Sequence, residues 1–176
     1  MKTPVLNALA LIFAVVALPI LTAQTPPPTT SAECPDTALS TSTFLKADAI
    51  KAKAPKGALS LVVVNDLDSR ERGLMCVVRV PHGKGMIFVF PGGDAIQGFW
   101  MKNTLVPLDM VWIRANGLVS SLAANVPATP DGTPDDKIAR RSGMGIYVLE
   151  LGGGDAARLG LRPGVKILLP ELTATQ

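Results

Sequence analysis

The chain contains very little histidine and cysteine, and this scarcity limits the catalytic and metal chemistry available to it. Among its 176 residues there is one histidine, His82, and there are two cysteines, Cys34 and Cys76. His82 lies between a proline and a glycine, a setting typical of an exposed turn residue. A serine or cysteine nucleophile therefore has no credible partner base, and two cysteines with one histidine cannot form a closed zinc site. We predict neither a bound metal nor a cofactor.

Charged and aromatic residues are also few, which argues against binding to nucleic acid. Asp, Glu, Lys and Arg together make up 18% of the sequence, aromatic residues make up 5%, and the formal net charge is +3. So small a charge, without a basic stripe interleaved with aromatic residues, is not typical of a nucleic-acid-binding protein. Hydrophobic residues, at 48%, exclude a disordered chain and suffice for one core. We therefore expect a single-domain monomer.

The N-terminal residues, 1–23, are predicted to be a secretory signal peptide. Lys2 supplies the positive charge, residues 5–18 form the apolar region, and Ala23 offers a small residue for cleavage before Gln24. Because the apolar region is short for a membrane span and is bracketed by prolines, a permanent anchor in the inner membrane is the alternative. We expect a periplasmic or secreted protein that touches the membrane only if the signal stays uncleaved.

The rest of the chain divides into an arm, a globular domain and a tail. Residues 24–57 are interpreted as a Pro/Thr-rich tether and N-terminal arm, residues 58–170 as the domain and residues 171–176 as the tail. Export implies an oxidising compartment, in which two thiols commonly join. We therefore expect a disulfide between Cys34 and Cys76 that staples the arm to the domain, provided that the geometry allows it.

The globular part predicts an all-β fold with a minor α component. Short β-branched or apolar runs alternate with turns rich in Gly and Pro, which favours a compact β-sandwich or a flattened barrel of about seven strands. Two short helical segments are expected, one at residues 70–72 and one at residues 155–159. Residues 127–145 are interpreted as a solvated surface excursion. The predicted strands are residues 58–64, 86–90, 99–104, 108–113, 118–123, 146–151 and 165–169.

Residues 98–114 place polar side chains inside an apolar setting. If the two predicted strands close a hairpin at Pro107, Asn103 lies opposite Asp109, and a register shift of one residue puts Lys102 there instead. Buried polar groups must satisfy one another, so this cluster is either a structural hydrogen-bond network or a polar patch that holds a ligand. The residues predicted to bind the ligand are Trp100, Lys102, Asn103, Thr104, Asp109 and Trp112.

Several motifs resemble one family, domain of unknown function 192 (DUF192), which is also classed among the uncharacterised protein families. The most specific motif is Trp-Met-Lys-Asn-Thr at residues 100–104, followed by Pro107, Leu108 and Asp109. Further matches are Arg-Gly-Leu-Met at residues 72–75, the run at residues 85–90 and Val-Leu-Glu-Leu at residues 148–151. The resemblance covers residues 59–169 and implies a compact β-sandwich, often exported, with no established activity.

One position departs from the family pattern. The family often has an arginine two residues after its Gly-Leu-Met, where this chain has Val77. If that arginine contacts a carboxylate such as Asp109 or Glu150 in the family, either Arg72 or Arg79 replaces it here or the contact is lost.

Two functions follow from these observations. The favoured one is a non-catalytic domain that binds a small molecule or another component of the cell envelope, with Trp100 and Trp112 as apolar platforms. The alternative is a small hydrolase or lyase that uses Asp109 or Glu150 together with Lys102. The separation and exposure of these side chains distinguish the two.

Overall fold

A computed structural model describes residues 34–130 and 132–174 of the chain, and the predicted signal peptide lies outside them. Most of the described residues that have regular structure are in strands. In chain order the elements are α1 (Thr37–Lys46), β1 (Ile50–Ala54), β2 (Gly57–Val64), α2 (Leu67–Arg72), β3 (Lys84–Val89), β4 (Ala95–Trp100), β5 (Leu108–Ile113), β6 (Val119–Val126), a 3₁₀ turn (Asp135–Lys137), β7 (Arg140–Gly145), β8 (Tyr147–Gly152) and α3 (Asp155–Arg158).

The strands form two sheets, which confirms the predicted all-β class with short helices. The larger sheet has the strand order β1-β2-β3-β8-β5-β6, and the smaller sheet pairs β4 with β7. Neighbours in both sheets are antiparallel except β2 and β3, which run parallel. The larger sheet is open, so the architecture is a sandwich rather than a closed barrel.

Strand β5 lies between β8 and the terminal strand β6 of the larger sheet, and its side chains enter two hydrophobic cores. All six of its residues are buried, as expected for a strand that is covered on both faces. Because side chains alternate along a strand, Val111 and Ile113 pack in one core with Leu149 of β8, and Met110 and Trp112 pack in the other. A polar side chain on β5 or β8 therefore points into one core or the other, depending on which face of the sheet its residue presents.

The hairpin expected around Pro107 is wrong. The segment at residues 99–104 does not pair with β5, because β5 has β8 on one side and β6 on the other. Strand β4 ends at Trp100 and pairs with β7, and the chain then turns through Asn103, which has a positive φ of 50°. Asparagine tolerates this left-handed conformation better than most residues. Residues 101–107 therefore cross from the smaller sheet to the larger one.

Other expectations about the strands have mixed outcomes. The Asn116-Gly117 dipeptide does join β5 to β6, and Gly117 has the positive φ of 81° that this turn requires. Strand β2 lies where residues 58–64 predicted it. The sheet begins before that region, at Ile50, and the supposed surface excursion at residues 127–145 contains β7.

The continuous strand expected at residues 165–169 does not form, and residues 164–168 are a bridging segment instead. This segment makes single bridges to two different parts of the larger sheet. Leu168 exchanges both backbone hydrogen bonds with Lys53 of β1, at 3.0 Å each. Val119, the first residue of β6, donates to Val165 O and accepts from Gly164 N, at 2.9 Å each. One short segment thus covers part of the outer edge of both terminal strands.

The N-terminal arm is fixed to the sheets by α1 and by a disulfide. Asp36 caps α1 by accepting a hydrogen bond from Leu39 N at 2.7 Å, and Phe44 of α1 is buried in the second core. The sulfur atoms of Cys34 and Cys76 are bonded at 2.06 Å. Within the described part of the chain, no helix is long and apolar enough to cross a bilayer.

Candidate functional site

Backbone hydrogen bonds hold the turn that follows β4. Asn103 O accepts a hydrogen bond from Cys76 N at 2.9 Å, and Thr104 N donates to Met101 O at 3.1 Å. The Thr104 hydroxyl donates to Lys102 O, also at 3.1 Å. These contacts fix the directions in which the side chains of Trp100 and Lys102 leave the backbone.

Trp100 is the exposed aromatic residue of this region. Its side chain lies at the end of β4 with 37% of the residue exposed, and two cations lie near its ring. Lys102 Nζ is 5.5 Å from the ring centroid and Arg140 Cζ is 5.2 Å from it, both within the range of a cation–π interaction. Because β4 and β7 pair Trp100 with Arg140, the sheet register places this arginine beside the ring.

Three depressions meet at Trp100. One, of about 760 Å³, runs along the β4–β7 sheet. A second, of about 870 Å³, lies between the turn, α2 and the start of α1. The third is a narrow cleft of about 20 Å³ that leads from the ring to Glu150. The residues that line the cleft are Arg70, Glu71, Arg72, Gly73, Leu74, Met75, Phe88, Phe99, Trp100, Lys102, Thr104 and Glu150.

Glu150 supplies the cleft with a buried carboxyl group. The residue is only 4% exposed, and its Oε2 atom has no hydrogen-bond partner among the described residues. Burial disfavours the charged carboxylate and raises the pKa of Glu150 from 4.5 to about 8. Unpartnered buried oxygens are rare in folded proteins, because such an atom gives up its hydrogen bonds to water. This atom is the strongest chemical signal in the site.

Gly73 brings the backbone close to this carboxyl group. It follows α2 with a positive φ of 46°, a conformation that glycine adopts without steric cost. A Cβ atom at this position would lie 3.2 Å from Phe88 Cζ and 3.6 Å from Glu150 Oε2. The Arg-Gly-Leu-Met motif therefore forms one wall of the cleft, and a side chain at residue 73 would fill it.

Asp109 lies outside the site, which corrects the expectation that it pairs with Lys102 or Asn103. Its carboxylate is fully buried and accepts hydrogen bonds from Asn125 N at 2.7 Å and from Ala156 N at 2.8 Å. Ala156 lies in the first turn of α3, so Asp109 joins β5 to α3 and β6. The prediction failed because the partners of Asp109 come from distant segments rather than from the preceding strand.

Asp109 and Glu150 also cannot act as a catalytic pair. In the register between β5 and β8, Asp109 faces Leu151 and Met110 faces Glu150. Since side chains alternate, Asp109 points toward the core of Val111, and Glu150 points toward the core of Met110. The sheet itself separates the two carboxyl groups.

Trp112, the other predicted aromatic platform, is a core residue. It is 1% exposed, and its indole nitrogen donates to Gln97 O at 2.9 Å. Its ring meets the ring of Phe99 edge to face with 6.3 Å between centroids. Of the six residues predicted to bind a ligand, the structure brings four to the depressions around the exposed indole: Trp100, Lys102, Asn103 and Thr104.

Residue 77, where the chain departs from the family pattern, lies in the hydrophobic core. Val77 is buried in the second core, and Arg72 lines the cleft together with Glu150. Arg79 lies elsewhere, in a depression with His82 and Asp155. Of the two arginines expected as replacements, Arg72 and not Arg79 therefore lines the cleft of Glu150, which Arg70 lines as well. Arg140 was missed by sequence reasoning, because its strand lies in the stretch that was interpreted as a surface excursion.

His82 has a partner that its sequence context did not indicate. Its Nδ1 atom lies 2.8 Å from Asp155 Oδ1, and Gly83 N donates to the other oxygen of that carboxylate at 3.0 Å. The imidazole remains 56% exposed. In the described parts of the chain there is no cluster of three or more metal-ligating His, Cys, Asp or Glu side chains.

Comparison with known proteins assigns the chain to a family. The family described as an uncharacterised conserved group, DUF192, matches residues 49–169. The chain belongs to the DUF192 family. The match includes the Arg-Gly-Leu-Met wall, the turn after Trp100 and the Glu150 strand, so the candidate site lies inside the DUF192 domain. No curated protein matches the chain.

Two solved structures share this DUF192 fold. A proposed transcription regulator from Sinorhizobium meliloti is 31% identical, with a TM-score of 0.56, and the alignment covers 66% of this chain and 88% of that one. A protein of unknown function from Novosphingobium aromaticivorans is 32% identical, with a TM-score of 0.53, over 66% of this chain and 81% of that one.

Proposed function

We propose that this DUF192 protein is a non-catalytic binding domain of the cell envelope whose ligand contacts Trp100. The observation that carries the proposal is an exposed indole at the point where three depressions meet. A tryptophan ring offers a rigid apolar face, and polar groups around it orient what lies on that face. Such a surface suits sugars and small amphiphiles. The envelope location rests on the signal peptide predicted at residues 1–23.

A thermal-shift screen against envelope sugars, lipids and divalent ions tests this function. A compound that binds the native state raises the melting temperature. We expect at least one sugar or amphiphile to do so with the wild-type protein, and we expect Trp100→Ala to abolish the shift. Ile96→Ala is the matched control, because Ile96 is also an exposed apolar residue of β4 but lines none of the three depressions. A shift that survives Trp100→Ala, or a screen with no hit, would contradict the proposal.

A second candidate function uses Glu150 as a general acid in a small hydrolase or lyase. It is favoured by the buried carboxyl group, whose pKa of about 8 keeps the proton on Glu150 at neutral pH. Lys102 lines the same cleft, whereas Asp109 takes no part. Turnover of a chromogenic glycoside or ester that disappears in Glu150→Gln would support this reaction. Equal turnover in the variant would exclude it.

The description of the Sinorhizobium protein as a transcription regulator suggests a third function for this chain, the binding of DNA. For this chain the formal net charge of +3 and the absence of a basic stripe in the sequence do not favour contact with DNA. Binding of an envelope ligand therefore remains the function that we propose.

A further inference from the structure

The volume of the cleft limits what can enter it. About 20 Å³ accommodates one water-sized group and no ring. The two depressions on either side of Trp100 are far larger, at about 760 and about 870 Å³. A ligand that lies against the indole can therefore extend one small substituent into the cleft while its body stays outside.

The polar group that awaits such a substituent is the Glu150 carboxyl. Two other polar side chains of the cleft already have partners: the Thr104 hydroxyl donates to Lys102 O, and the Arg70 guanidinium donates to Asn65 O and to Val89 O. Glu150 Oε2 has no partner among the described residues and is almost entirely buried. A substituent in the cleft therefore has to be one that forms a hydrogen bond with a carboxyl group.

The charges around the cleft select among the possible substituents. Arg70, Arg72 and Lys102 line it and would repel an ammonium group, while a carboxylate, with its two oxygen atoms, is larger than the single water-sized space. A neutral hydroxyl group avoids both problems. It donates to the carboxylate form of Glu150 and accepts from the protonated form, so it bonds in either state.

We infer that the ligand is a sugar or related polyol that lies against Trp100 and places one hydroxyl group in the cleft, where it hydrogen-bonds to Glu150. This inference rests on the proposed binding function and narrows its ligand class. Sugars present the apolar face of a ring next to hydroxyl groups, which is the combination that an indole beside a buried carboxyl recognises.

The test titrates methyl glycosides against the full chain and follows binding by calorimetry. The probes are the methyl glycosides of glucose, galactose, mannose and N-acetylglucosamine. For the glycoside that binds best, Glu150→Met should weaken the affinity about tenfold or more, because it removes the hydrogen-bonding group and keeps an unbranched side chain. Glu150→Gln, whose amide both donates and accepts, should restore most of the affinity. Glu171→Met, an exposed glutamate outside the cleft, should leave it unchanged.

Monodeoxy analogues of the same glycoside identify the hydroxyl group. One analogue should bind the wild-type protein about as weakly as the parent sugar binds Glu150→Met, and it should lose nothing further in that variant. If every analogue loses the same factor in both proteins, no hydroxyl is coupled to Glu150 and the inference is overturned. If an amphiphile but no glycoside binds through Trp100, the inference falls while the binding function stands; if nothing binds through Trp100, both fall.

Discussion

Two buried carboxyl groups lie on opposite faces of the larger sheet, and their surroundings make them different kinds of residue. Asp109 receives two backbone N–H groups and is satisfied. Glu150 Oε2 receives none among the described residues, and the Glu150 pKa is raised to about 8. A buried polar group without a partner reduces stability, so a protein that keeps one gives up stability at that position. On this basis we propose a structural role for Asp109 and a functional role for Glu150.

The raised pKa of Glu150 predicts how stability depends on pH. Between about 4.5 and about 8 the folded protein keeps a proton that the unfolded chain has lost. The contribution of Glu150 to the free energy of unfolding is therefore complete below about pH 4.5 and decreases as the pH rises through this window, by up to about 1.4 kcal/mol per pH unit. Urea unfolding at several pH values within the window should show this decrease in the wild-type protein and not in Glu150→Gln. Glu171→Gln should behave like the wild type, and a Glu150→Gln profile parallel to the wild-type profile would contradict the prediction.

Asp109→Ala is expected to destabilise the domain by about 1–3 kcal/mol. The substitution leaves the buried backbone N–H groups of Asn125 and Ala156 without an acceptor, and each such loss is costly. Chemical denaturation measures the change directly. Asp48→Ala, at an exposed position before β1, serves as the control and should change stability by less than about 0.5 kcal/mol. An unfolding midpoint for Asp109→Ala equal to that of the wild type would argue against the structural role.

Among the secondary-structure elements, single turns and strands could be predicted from the sequence, but the pairing of strands could not. The Asn116-Gly117 turn and strand β2 could be predicted, because a turn dipeptide and a run of β-branched residues act locally. The hairpin at Pro107 failed, because β5 pairs with β8 from far along the chain. Helix α1 was missed because its Thr and Ser residues have weak helix propensity, although Asp36 was a readable N-cap.

The same reasoning explains which parts of the site could be predicted. Trp100 and Lys102 follow one another along a motif, so the sequence alone indicated them. The sequence also indicated Glu150 as a candidate, but it could not show that Glu150 lies near Trp100. The direction in which a strand residue points can be told only when the neighbouring strands are known. The exclusion of Trp112 likewise needed the sheet order, since an exposed and a buried tryptophan look alike in a short apolar run.

The disulfide between Cys34 and Cys76 should contribute substantially to the stability of the arm and its helix. It joins two residues with a sequence separation of 42. A cross-link of this length lowers the entropy of the unfolded chain and typically raises the free energy of unfolding by about 2–4 kcal/mol. The double variant Cys34→Ser with Cys76→Ser should lower the free energy of unfolding by about that amount. Reduction of the wild-type protein should have a similar effect, whereas a reductant should not change the double variant. Equal stability of oxidised and reduced wild-type protein would contradict this prediction.

For the molecule as a whole, the pattern of short strands and turns was enough to predict the class of fold, and the location remains a proposal. Short apolar runs that alternate with turns rich in Gly and Pro indicated a β-sandwich or a flattened barrel, and the two sheets show the sandwich. The arm, its helix and the disulfide are consistent with a domain that folds after export, because a stable disulfide requires an oxidising compartment.

Export predicts a defined mature N-terminus. When the full sequence is expressed in a Gram-negative host, the periplasmic fraction should contain a protein with the mass of residues 24–176. This is the product expected for cleavage after Ala23. Fractionation followed by intact-mass spectrometry makes this measurement, with Ala23→Tyr as a variant that should impair cleavage. A full-length mass in the membrane fraction would indicate the anchored alternative, and a cytosolic protein would contradict export.

The segment at residues 164–168 touches both terminal strands of the larger sheet, and this has a consequence for self-association. A terminal strand with free N–H and C=O groups recruits strands from other molecules. Because Leu168 covers part of β1 and Val165 covers part of β6, displacement of this one segment would uncover both strands together. A molecule that exposes one strand edge can form a dimer and then has no further edge to pair. A molecule that exposes two edges can add neighbours in both directions and polymerise. These few residues thus shield both terminal strands of the larger sheet from pairing with strands of other molecules.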